Sequence, residues 1–147
     1  MFTNVTYDFH WESVWEYRQK FIDGFVMTII ISAAALVQSL LIGLFFAYGQ
    51  SSRIIILRFL SRFYVEVIRG TPLLVQILIF FYVFANNLGF DNRYVVGTVI
   101  LALFAGAYVT EMIRAGIQSI GIEQYESAKS LGFTPFQTYR YIIFPQA

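Results

Sequence analysis

Very few side chains of this chain have the type and spacing that chemistry requires. Cysteine is absent, which excludes a thiol nucleophile, and the single histidine and scattered acidic residues offer no metal-ligand spacing. Glu111 is the one acidic residue within a long apolar stretch, and Arg114, three residues later, is its expected partner. Gln38 and Gln76 also lie within apolar stretches. These four residues are candidates for lining or gating a polar path, and no residue is assigned a catalytic or metal-binding role.

The surroundings of these candidates leave two interpretations open. An ionisable group inside an apolar stretch is a functional candidate by default, yet Glu111 and Arg114 lie close enough to the end of theirs to reach water as a structural pair. A buried amide needs a hydrogen-bonding partner, so Gln38 and Gln76 are expected to face protein or a hydrated cavity and not lipid.

The composition indicates that these residues belong to a membrane protein. Hydrophobic residues make up 58% of the 147 residues and charged residues 13%, whereas soluble domains average about 45–50% and about 25%. The aromatic content of 19% excludes a disordered chain. The net charge of +1 provides no field for binding nucleic acid, so we expect membrane lipid, and no nucleic acid, around this chain.

Three apolar stretches predict membrane-spanning helices. They cover residues 24–52, 70–90 and 94–113, and about 20 apolar residues are enough to cross a bilayer as a helix. Before the first stretch, Trp11, Trp15 and Arg18 recur at helical spacing, which predicts a short helix in the outer membrane interface within residues 1–23. The predicted fold class is therefore all-α, a polytopic membrane protein with three transmembrane helices.

The link between the first two spans, residues 53–69, predicts an amphipathic helix. Arg58, Arg62, Glu66 and Arg69 fall within one sector of that helix, and apolar residues cover the other side. Glu66 has the spacing to pair with Arg62 or with Arg69. We expect this polar face to be solvated at the cytoplasmic membrane surface.

A break is predicted directly after this helix, at Gly70-Thr71-Pro72. Proline lacks a backbone donor and restricts the residue before it, so the helix should change direction there. Gly70 and Pro72 are therefore the predicted hinge residues.

The distribution of basic residues predicts the orientation of the chain in the membrane. Lysine and arginine favour the cytoplasmic side of a membrane protein. Most of them flank the same ends of the spans, namely Arg53, Arg58, Arg62, Arg69, Arg114, Lys129 and Arg140. The N-terminus should therefore be outside and the C-terminus in the cytoplasm.

Two spans carry stripes of small residues at every fourth position. The stripes are Ala35, Ser39, Gly43 and Ala47 in the first span and Thr98, Ala102, Gly106 and Thr110 in the third. Small residues at this spacing let two helix backbones approach closely in lipid. Packing between helices of this chain is the favoured interpretation, and a subunit contact or a path-lining face is the alternative.

The segment at residues 119–147 predicts two short helices joined by a glycine. Ile122, Tyr125, Ala128 and Leu131 form one apolar strip in the first helix, and Gly132 follows as a helix-ending signal. Thr134, Pro135 and Gln137 then provide the N-cap, the N1 proline and the capping box of a second helix. From the pattern alone, this helix–Gly–helix module inserts into a partner's groove or rests on the bilayer as a surface loop.

The module also carries a motif. Glu126-Ser127-Ala128, followed at the family's spacing by Gly132 and by Ile142-Ile143-Phe144-Pro145, resembles the EAA motif of bacterial ABC-importer permeases, with Ser127 in place of alanine and Phe144 in place of leucine. Residues 67–76 and the group Gly106-Ala107-Tyr108, Glu111 and Arg114 are similar to the polar amino acid branch of that family, which includes histidine, glutamine and arginine systems.

This resemblance implies an expected function for the chain. Members are permease subunits of the bacterial plasma membrane that pair with a second permease subunit, identical or paralogous, on two cytoplasmic ABC ATPase subunits. ATP and Mg²⁺ bind those ATPases, so the chain itself is expected to hold no cofactor and to be no enzyme, and an extracytoplasmic binding protein delivers the amino acid. The resemblance assigns ATPase coupling to Glu126, Ser127, Ala128, Gly132 and Pro145.

Two further expectations concern the extent of the chain and a rival function. Family members continue with additional spans after the position of Ala147, so the resemblance implies that downstream spans are missing. A small three-span channel or scaffold protein without ATPase coupling would share the composition and the small-residue stripes. Such a protein would not need a glycine-hinged module at the EAA spacing.

Overall fold

The computed structural model describes residues 11–85 and 92–147, and all secondary structure in these two ranges is helical. The α-helices are α1 (Trp11–Glu16), α2 (Arg18–Gln50), α3 (Ile55–Gly70), α4 (Leu73–Ile79), α5 (Arg93–Ser119), α6 (Ile122–Ser130), α7 (Pro135–Thr138) and α8 (Phe144–Gln146). Two π-helical segments, Phe80–Ala85 and Tyr139–Ile143, continue α4 and connect α7 to α8. The predicted all-α class is confirmed.

Two of the described helices, α2 and α5, are long and apolar enough to cross a membrane. A third candidate is formed by α3 and the helical residues Leu73–Val83, which pass the same test only as a pair bent by 107°. The chain therefore has two candidate spans by length and composition, or three if the bent pair is counted as one span. The end of the stretch predicted at residues 70–90 lies outside the described residues.

The helix boundaries differ from the predicted ones near the N-terminus. A short helix is present at α1, but it ends at Glu16, and Tyr17 separates it from α2. Arg18 therefore begins α2 and does not extend an interfacial helix, so the long helix starts six residues before the predicted span at Gly24. Charged residues at 18–23 place a sequence boundary after Asp23, but they are compatible with a helix and continue it. The first ten residues of the predicted interfacial segment lie outside the described part of the chain.

The two small-residue stripes form the interface between α2 and α5. All eight of their residues are buried. The Thr110 hydroxyl on α5 donates a hydrogen bond to the Gly43 carbonyl on α2 at 3.3 Å. A Cβ atom added at Gly106 would lie 2.6 Å from Cγ2 of Ile42, so the backbones approach as closely as glycine allows. Packing within the chain, the favoured interpretation of the stripes, is confirmed.

Helix α3 presents three different faces. Ser61 and Val65 are buried, and the half-buried Tyr64 donates its hydroxyl to the Leu103 carbonyl of α5 at 2.5 Å while its ring stacks on Phe46 at 4.0 Å. A second face is apolar and exposed, and it includes Ile56, Phe59, Leu60, Phe63 and Val67. The third is the polar face that carries Arg62, Glu66 and Arg69. An amphipathic helix is therefore present, and it is anchored to the bundle by its narrow buried face.

The chain breaks between α3 and α4 at the predicted tripeptide. Helix α3 ends at Gly70, Thr71 and Pro72 are both extended, and α4 begins at Leu73. The resulting bend is 107°. Proline accounts for this change of direction because it cannot donate the helical hydrogen bond and excludes helical geometry at Thr71. Movement at Gly70 and Pro72, as a hinge requires, stays a prediction.

Candidate functional site

Glu111 contacts two arginines, one on its own helix and one on α3. It lies on α5 and accepts a hydrogen bond from Nε of Arg114 at 3.1 Å and a second from Arg114 Nη2. Its Oε2 atom also lies 3.7 Å from Nη1 of Arg69, in the last turn of α3. The predicted Glu111–Arg114 pair is confirmed, whereas the contact with Arg69 was not predicted.

Two neighbouring side chains complete this charged group. Nη1 of Arg114 donates to Oε1 of Gln118 at 2.8 Å, and the Arg69 guanidinium lies 5.4 Å from the centre of the Tyr108 ring. The side chains of Glu111, Arg69 and Arg114 are 24%, 41% and 38% exposed. Because water reaches all three, the ion pairs contribute modestly to stability, roughly 1 kcal/mol or less each. The Arg69–Glu111 pair also fixes the end of α3 against α5.

A polar cavity of about 410 Å³ lies between the polar face of α3 and the later turns of α5. Its charged and amide lining comes from Gln50 at the end of α2, from Arg62, Glu66 and Arg69 on α3, and from Glu111, Arg114 and Gln118 on α5. The polar face predicted to be a solvated membrane surface is thus one wall of a cavity. The predicted pairing of Glu66 is also absent: in the described part of the chain Glu66 forms an ion pair with neither arginine, and Arg69 reaches Glu111.

Gln76 is bonded to the break between α3 and α4. Its side chain is buried, and Nε2 lies within donor distance of three acceptors, the Ile68 carbonyl at 2.8 Å, the Thr71 carbonyl at 3.1 Å and the Thr71 hydroxyl at 2.6 Å. These acceptors include backbone carbonyls left without partners where α3 ends. Gln76 therefore faces protein, as expected, and the structure gives it a positioning role at the break. A role in a path stays a prediction.

Gln38 faces a separate cavity. It is half-buried on α2 and lines a space of about 280 Å³ between α2 and the first turns of α5, with Ala34, Tyr94 and Thr98 among the other lining residues. This position agrees with the expectation that the amide faces a cavity and not lipid. Gln38 lies beside the first turns of α5, whereas Glu111 lies in the later turns and lines a different cavity. The four path candidates therefore do not form one site.

The first helix of the C-terminal module, α6, ends in a complete glycine cap. Gly132 has a φ of +79°, the left-handed conformation that favours glycine. The Phe133 amide donates to the Ala128 carbonyl at 3.0 Å and the Gly132 amide donates to the Lys129 carbonyl at 3.0 Å. These two bonds form a Schellman motif, which satisfies carbonyls at the helix end and fixes the direction of the following chain.

The second helix begins with the predicted capping box. The Gln137 amide donates to the Thr134 hydroxyl at 3.4 Å, and the Thr134 amide donates to Oε1 of Gln137 at 2.8 Å, with Pro135 in the first turn. The helix is not regular along its length, because Tyr139–Ile143 is π-helical between α7 and α8. Pro145 lies in α8, at the end of this segment.

The module packs on the end of α5 around an apolar cleft. The cleft has a volume of about 920 Å³, and Tyr48, Ile113, Ile117, Ile122 and Phe144 contribute to its lining. Tyr125 of α6 also borders it, and its ring meets that of Tyr139 edge-on at 6.1 Å. Burial raises the pKa of the Tyr125 phenol above its usual value near 10, and Tyr139 adds to the rise.

The predicted apolar strip of α6 is divided between two surfaces. Ile122 and Tyr125 border the cleft and Ala128 is fully buried, but Leu131 is 76% exposed. Leu131 lies on the outer surface because a spacing of three residues drifts by about 60° at each step, so Ile122 and Leu131 lie about 180° apart around the helix. The prediction of one continuous strip is therefore wrong.

The outer surface of α6 carries the residues that the motif assigns to coupling. Glu126 and Ser127 are exposed and line a shallow groove of about 530 Å³ together with Glu123, Ser130 and Leu131. Ala128 is enclosed within the module and has no surface available for a partner. Gly132 acts through the cap, so its assigned role concerns the shape of the module.

Three contacts escaped prediction, two because they join residues about 40 positions apart and one because it depends on the bend between α3 and α4. They are the Arg69–Glu111 ion pair, the Tyr64–Leu103 hydrogen bond and the bonds from Gln76 to the break. A signal existed for the first: Arg69 and Glu111 each stand near the end of an apolar stretch, on the side where basic residues concentrate. No comparable pattern marks Tyr64.

The structure combines apolar helices of membrane-spanning length, packed through small residues, with a preformed helix–Gly–helix module at the end of α5. Comparison with known families agrees: the family described as "Binding-protein-dependent transport system inner membrane component" matches residues 39–147. This chain belongs to that family, and the resemblance on which the sequence was interpreted is confirmed.

Individual relatives are permeases of amino acid systems. The chain is 38% identical over 128 residues to the putative glutamine transport system permease protein GlnP of Rickettsia prowazekii, covering 86% of this chain and 58% of that protein. It is 36% identical over 150 residues to the glutamate/aspartate import permease protein GltK of Escherichia coli O6:H1, covering 96% and 66%.

A solved structure shares the fold. The crystal structure of an amino acid ABC transporter with histidines superposes with a TM-score of 0.85 at 40% identity, covering 97% of this chain and 65% of that one. The chain thus spans less than two thirds of the length of GlnP, GltK and this structural neighbour.

Proposed function

We propose that this chain is the transmembrane subunit of an ATP-driven importer of polar amino acids. The single observation that carries the proposal is the C-terminal module, in which a Schellman motif and a capping box hold α6 with Glu126 and Ser127 on its outer surface. A preformed helix loses little entropy on binding, which suits it to a partner's groove. A three-span channel or scaffold would have no use for this element.

The partners follow from this assignment. The cytoplasmic ABC ATPase is proposed to bind the groove of α6, and ATP and Mg²⁺ are bound and used there and not on this chain. A second permease subunit and an extracytoplasmic amino acid-binding protein complete the importer. Membership of the family and the names of the relatives, which refer to glutamine and to glutamate and aspartate, support amino acids as the cargo.

Two substitutions in the module test the ATPase contact. Glu126→Lys reverses a charge in the outer groove, so it should weaken ATPase binding and leave membrane insertion intact. Gly132→Val requires a β-branched residue in the left-handed conformation, a cost of at least about 1–2 kcal/mol. An added Cβ at Gly132 meets no atom of another residue within 4 Å. The cost therefore comes from the backbone conformation at this position and not from a clash with surrounding side chains.

The measurements are co-purification of the ATPase with the permease and ATP-dependent amino acid uptake into vesicles. Gln124→Lys is the matched control, because Gln124 is exposed on α6 but lies outside the groove, about 200° around the helix from Glu126. Normal ATPase association and uptake in both Glu126→Lys and Gly132→Val would refute the docking role.

The orientation is proposed as N-terminus outside and C-terminus in the cytoplasm of a bacterial plasma membrane. Arginine and lysine on α3, α6 and the end of α5 support it. The chain has no cysteine, so a single cysteine introduced at the exposed Ser130 can be labelled selectively. An impermeant reagent should label it in inverted vesicles and not in intact cells, and the opposite pattern would reverse the orientation.

A further inference from the structure

A basic segment leads into the first half of α3. It covers residues 53–62 and contains three arginines, Arg53, Arg58 and Arg62. The sequence has no acidic residue between Asp23 and Glu66, and in the described part of the chain none of the three arginines forms an ion pair. The basic segment therefore carries three positive charges that the described protein does not compensate.

The basic segment also exposes large apolar side chains. Ile55 and Ile56 are 72% and 71% exposed, and Phe59 is 66% exposed. Residues three apart lie about 60° from each other around a helix, so Ile55 neighbours Arg58. Phe59 neighbours Arg62 in the same way. A surface that combines exposed apolar groups with cations is typical of a helix at a membrane–water boundary.

The position of the basic segment agrees with such a boundary. Leu57 and Ser61 pack against Gly49 in the last turn of α2, since a Cβ added at Gly49 would meet both side chains. Helix α2 is a candidate span, and its uncharged stretch ends at Ser52. Tyr48 beside Gly49 is 76% exposed, and tyrosines are enriched where spans leave the bilayer. The basic segment thus lies next to the point where α2 leaves the membrane.

We propose that the basic segment binds the headgroups of anionic phospholipids in the leaflet that faces the C-terminal module. Its arginines contact the lipid phosphates, because a guanidinium donates two parallel hydrogen bonds to phosphate oxygens. Ile55, Ile56 and Phe59 enter the boundary between headgroups and acyl chains. The leaflet is identified by Tyr48, which borders the apolar cleft of the module as well.

The charge of the basic segment favours lipid over a second copy of this chain as its partner. A symmetric contact between two copies brings the same patch against itself, which here would place arginines against arginines. An anionic leaflet offers a counter-charge to each arginine, with a gain of about fivefold in binding for each one near the surface. We therefore expect a preference for phosphatidylglycerol over phosphatidylcholine, whose phosphate is neutralised by its own trimethylammonium group.

The test identifies the lipid that contacts position 59. The purified chain is placed in nanodiscs of equal amounts of phosphatidylglycerol and phosphatidylcholine, with Phe59 replaced by the photoreactive amino acid benzoylphenylalanine. After illumination, mass spectrometry measures the ratio of the two lipid adducts, which should favour phosphatidylglycerol by about tenfold or more. The same probe at Leu36, which is exposed in the uncharged stretch of α2, should give nearly equal adducts.

Paired substitutions assign this preference to the arginines. Arg53→Gln combined with Arg58→Gln should lower the adduct ratio at position 59 by at least about fivefold. Arg53→Lys combined with Arg58→Lys keeps both charges and should retain most of the preference, which excludes misfolding as the cause. Arg18→Gln combined with Lys20→Gln is the matched control, because it removes two positive charges at the opposite end of α2 and should leave the ratio unchanged.

The other outcomes would overturn the proposal. Equal lipid adducts at position 59, a preference that survives the loss of Arg53 and Arg58, or an equal loss in the matched control would exclude recognition of anionic headgroups by these arginines. An adduct with a second copy of the chain would show that protein, and not lipid, covers this face. The measurement needs neither an ATPase nor an amino acid, so its result is independent of the proposed import function.

Discussion

A methyl group added at Gly106 tests the interface between α2 and α5 most directly. The added Cβ would lie 2.6 Å from Cγ2 of Ile42 and 3.0 Å from its Cβ, closer than such atoms approach in folded proteins. Its third neighbour is the hydroxyl of Tyr64 at 3.2 Å, which anchors α3. Gly106→Ala should therefore disturb all three helices, because Ile42 belongs to α2 and has little room to move.

The magnitude follows from two opposing effects. Overpacking of an interior contact lowers the free energy of unfolding by about 1–3 kcal/mol. Replacing a helical glycine by alanine raises it by about 0.5–1 kcal/mol. Gly97 lies on the same helix, and an added Cβ there has no atom within 4 Å. Gly97→Ala should therefore gain helix stability without overpacking. The two variants should thus differ by about 1–3 kcal/mol in the free energy of unfolding, with Gly97→Ala the more stable.

Thermal unfolding of the purified protein in detergent, followed by circular dichroism, measures this difference. A change of 1 kcal/mol corresponds to about 2–4 °C in Tm for a chain of similar size. Ile42→Ala removes the obstructing Cγ2, so Gly106→Ala should cost less in that background, and the double-mutant cycle isolates the contact. Equal Tm values for Gly106→Ala and Gly97→Ala would show that the backbones are not as close as the structure places them.

Two further substitutions test the contacts that hold α3. Gln76→Leu removes the amide bonded to Ile68 and Thr71, so the free energy of unfolding should fall by about 1–3 kcal/mol. Gln38→Leu should change it little, because the Gln38 amide has no hydrogen bond in the described residues. Similar Tm values for the two leucine variants would remove Gln76 from its positioning role. Glu111→Gln leaves Arg69 and Arg114 without their shared carboxylate and should cost about 1 kcal/mol at low salt and less at high salt, while Glu66→Gln should leave Tm unchanged. A salt-independent loss for Glu111→Gln would contradict the electrostatic explanation.

The features predicted from sequence are those that local rules determine. The capping box of Thr134 and Gln137, the cap at Gly132 and the break at Pro72 each depend on a few consecutive residues, and the structure contains all three. The Glu111–Arg114 pair is local too, since three residues separate its members. The stripes could be predicted as an interface because small residues at every fourth position have few other uses in lipid.

The features that escaped prediction depend on where distant elements meet. The sequence offers Glu66 two local partners, and only the approach of α5 to the end of α3 brings Glu111 near Arg69 instead. Gln76 was grouped with possible path residues because an amide in an apolar stretch has no visible partner until the 107° bend supplies backbone carbonyls. Leu131 was assigned to a strip of three-residue spacing, but such a strip drifts around the helix, and by Leu131 it has reached the face opposite Ile122.

These contacts connect the proposed docking helix to the membrane helices mechanically. Helix α6 follows α5 after the two residues Ile120 and Gly121, and at the far end of the module a Cβ added at Gly116 of α5 would lie 2.9 Å from the Ala147 carbonyl. The module therefore continues directly from α5 at Ile120 and approaches it again at Gly116.

We infer that a displacement of α6 would be passed to α5 through these contacts. From there the close stripe contacts carry it to α2, and Glu111 carries it to α3 through Arg69. Helix α4 is connected as well, because Gln76 bonds to Ile68 and Thr71, and Leu73 and Ile77 pack on Val96 and Ile100 of α5. An ATPase that moves α6 would in this way act on α2, α3 and α4 through α5, the helix that all three contact.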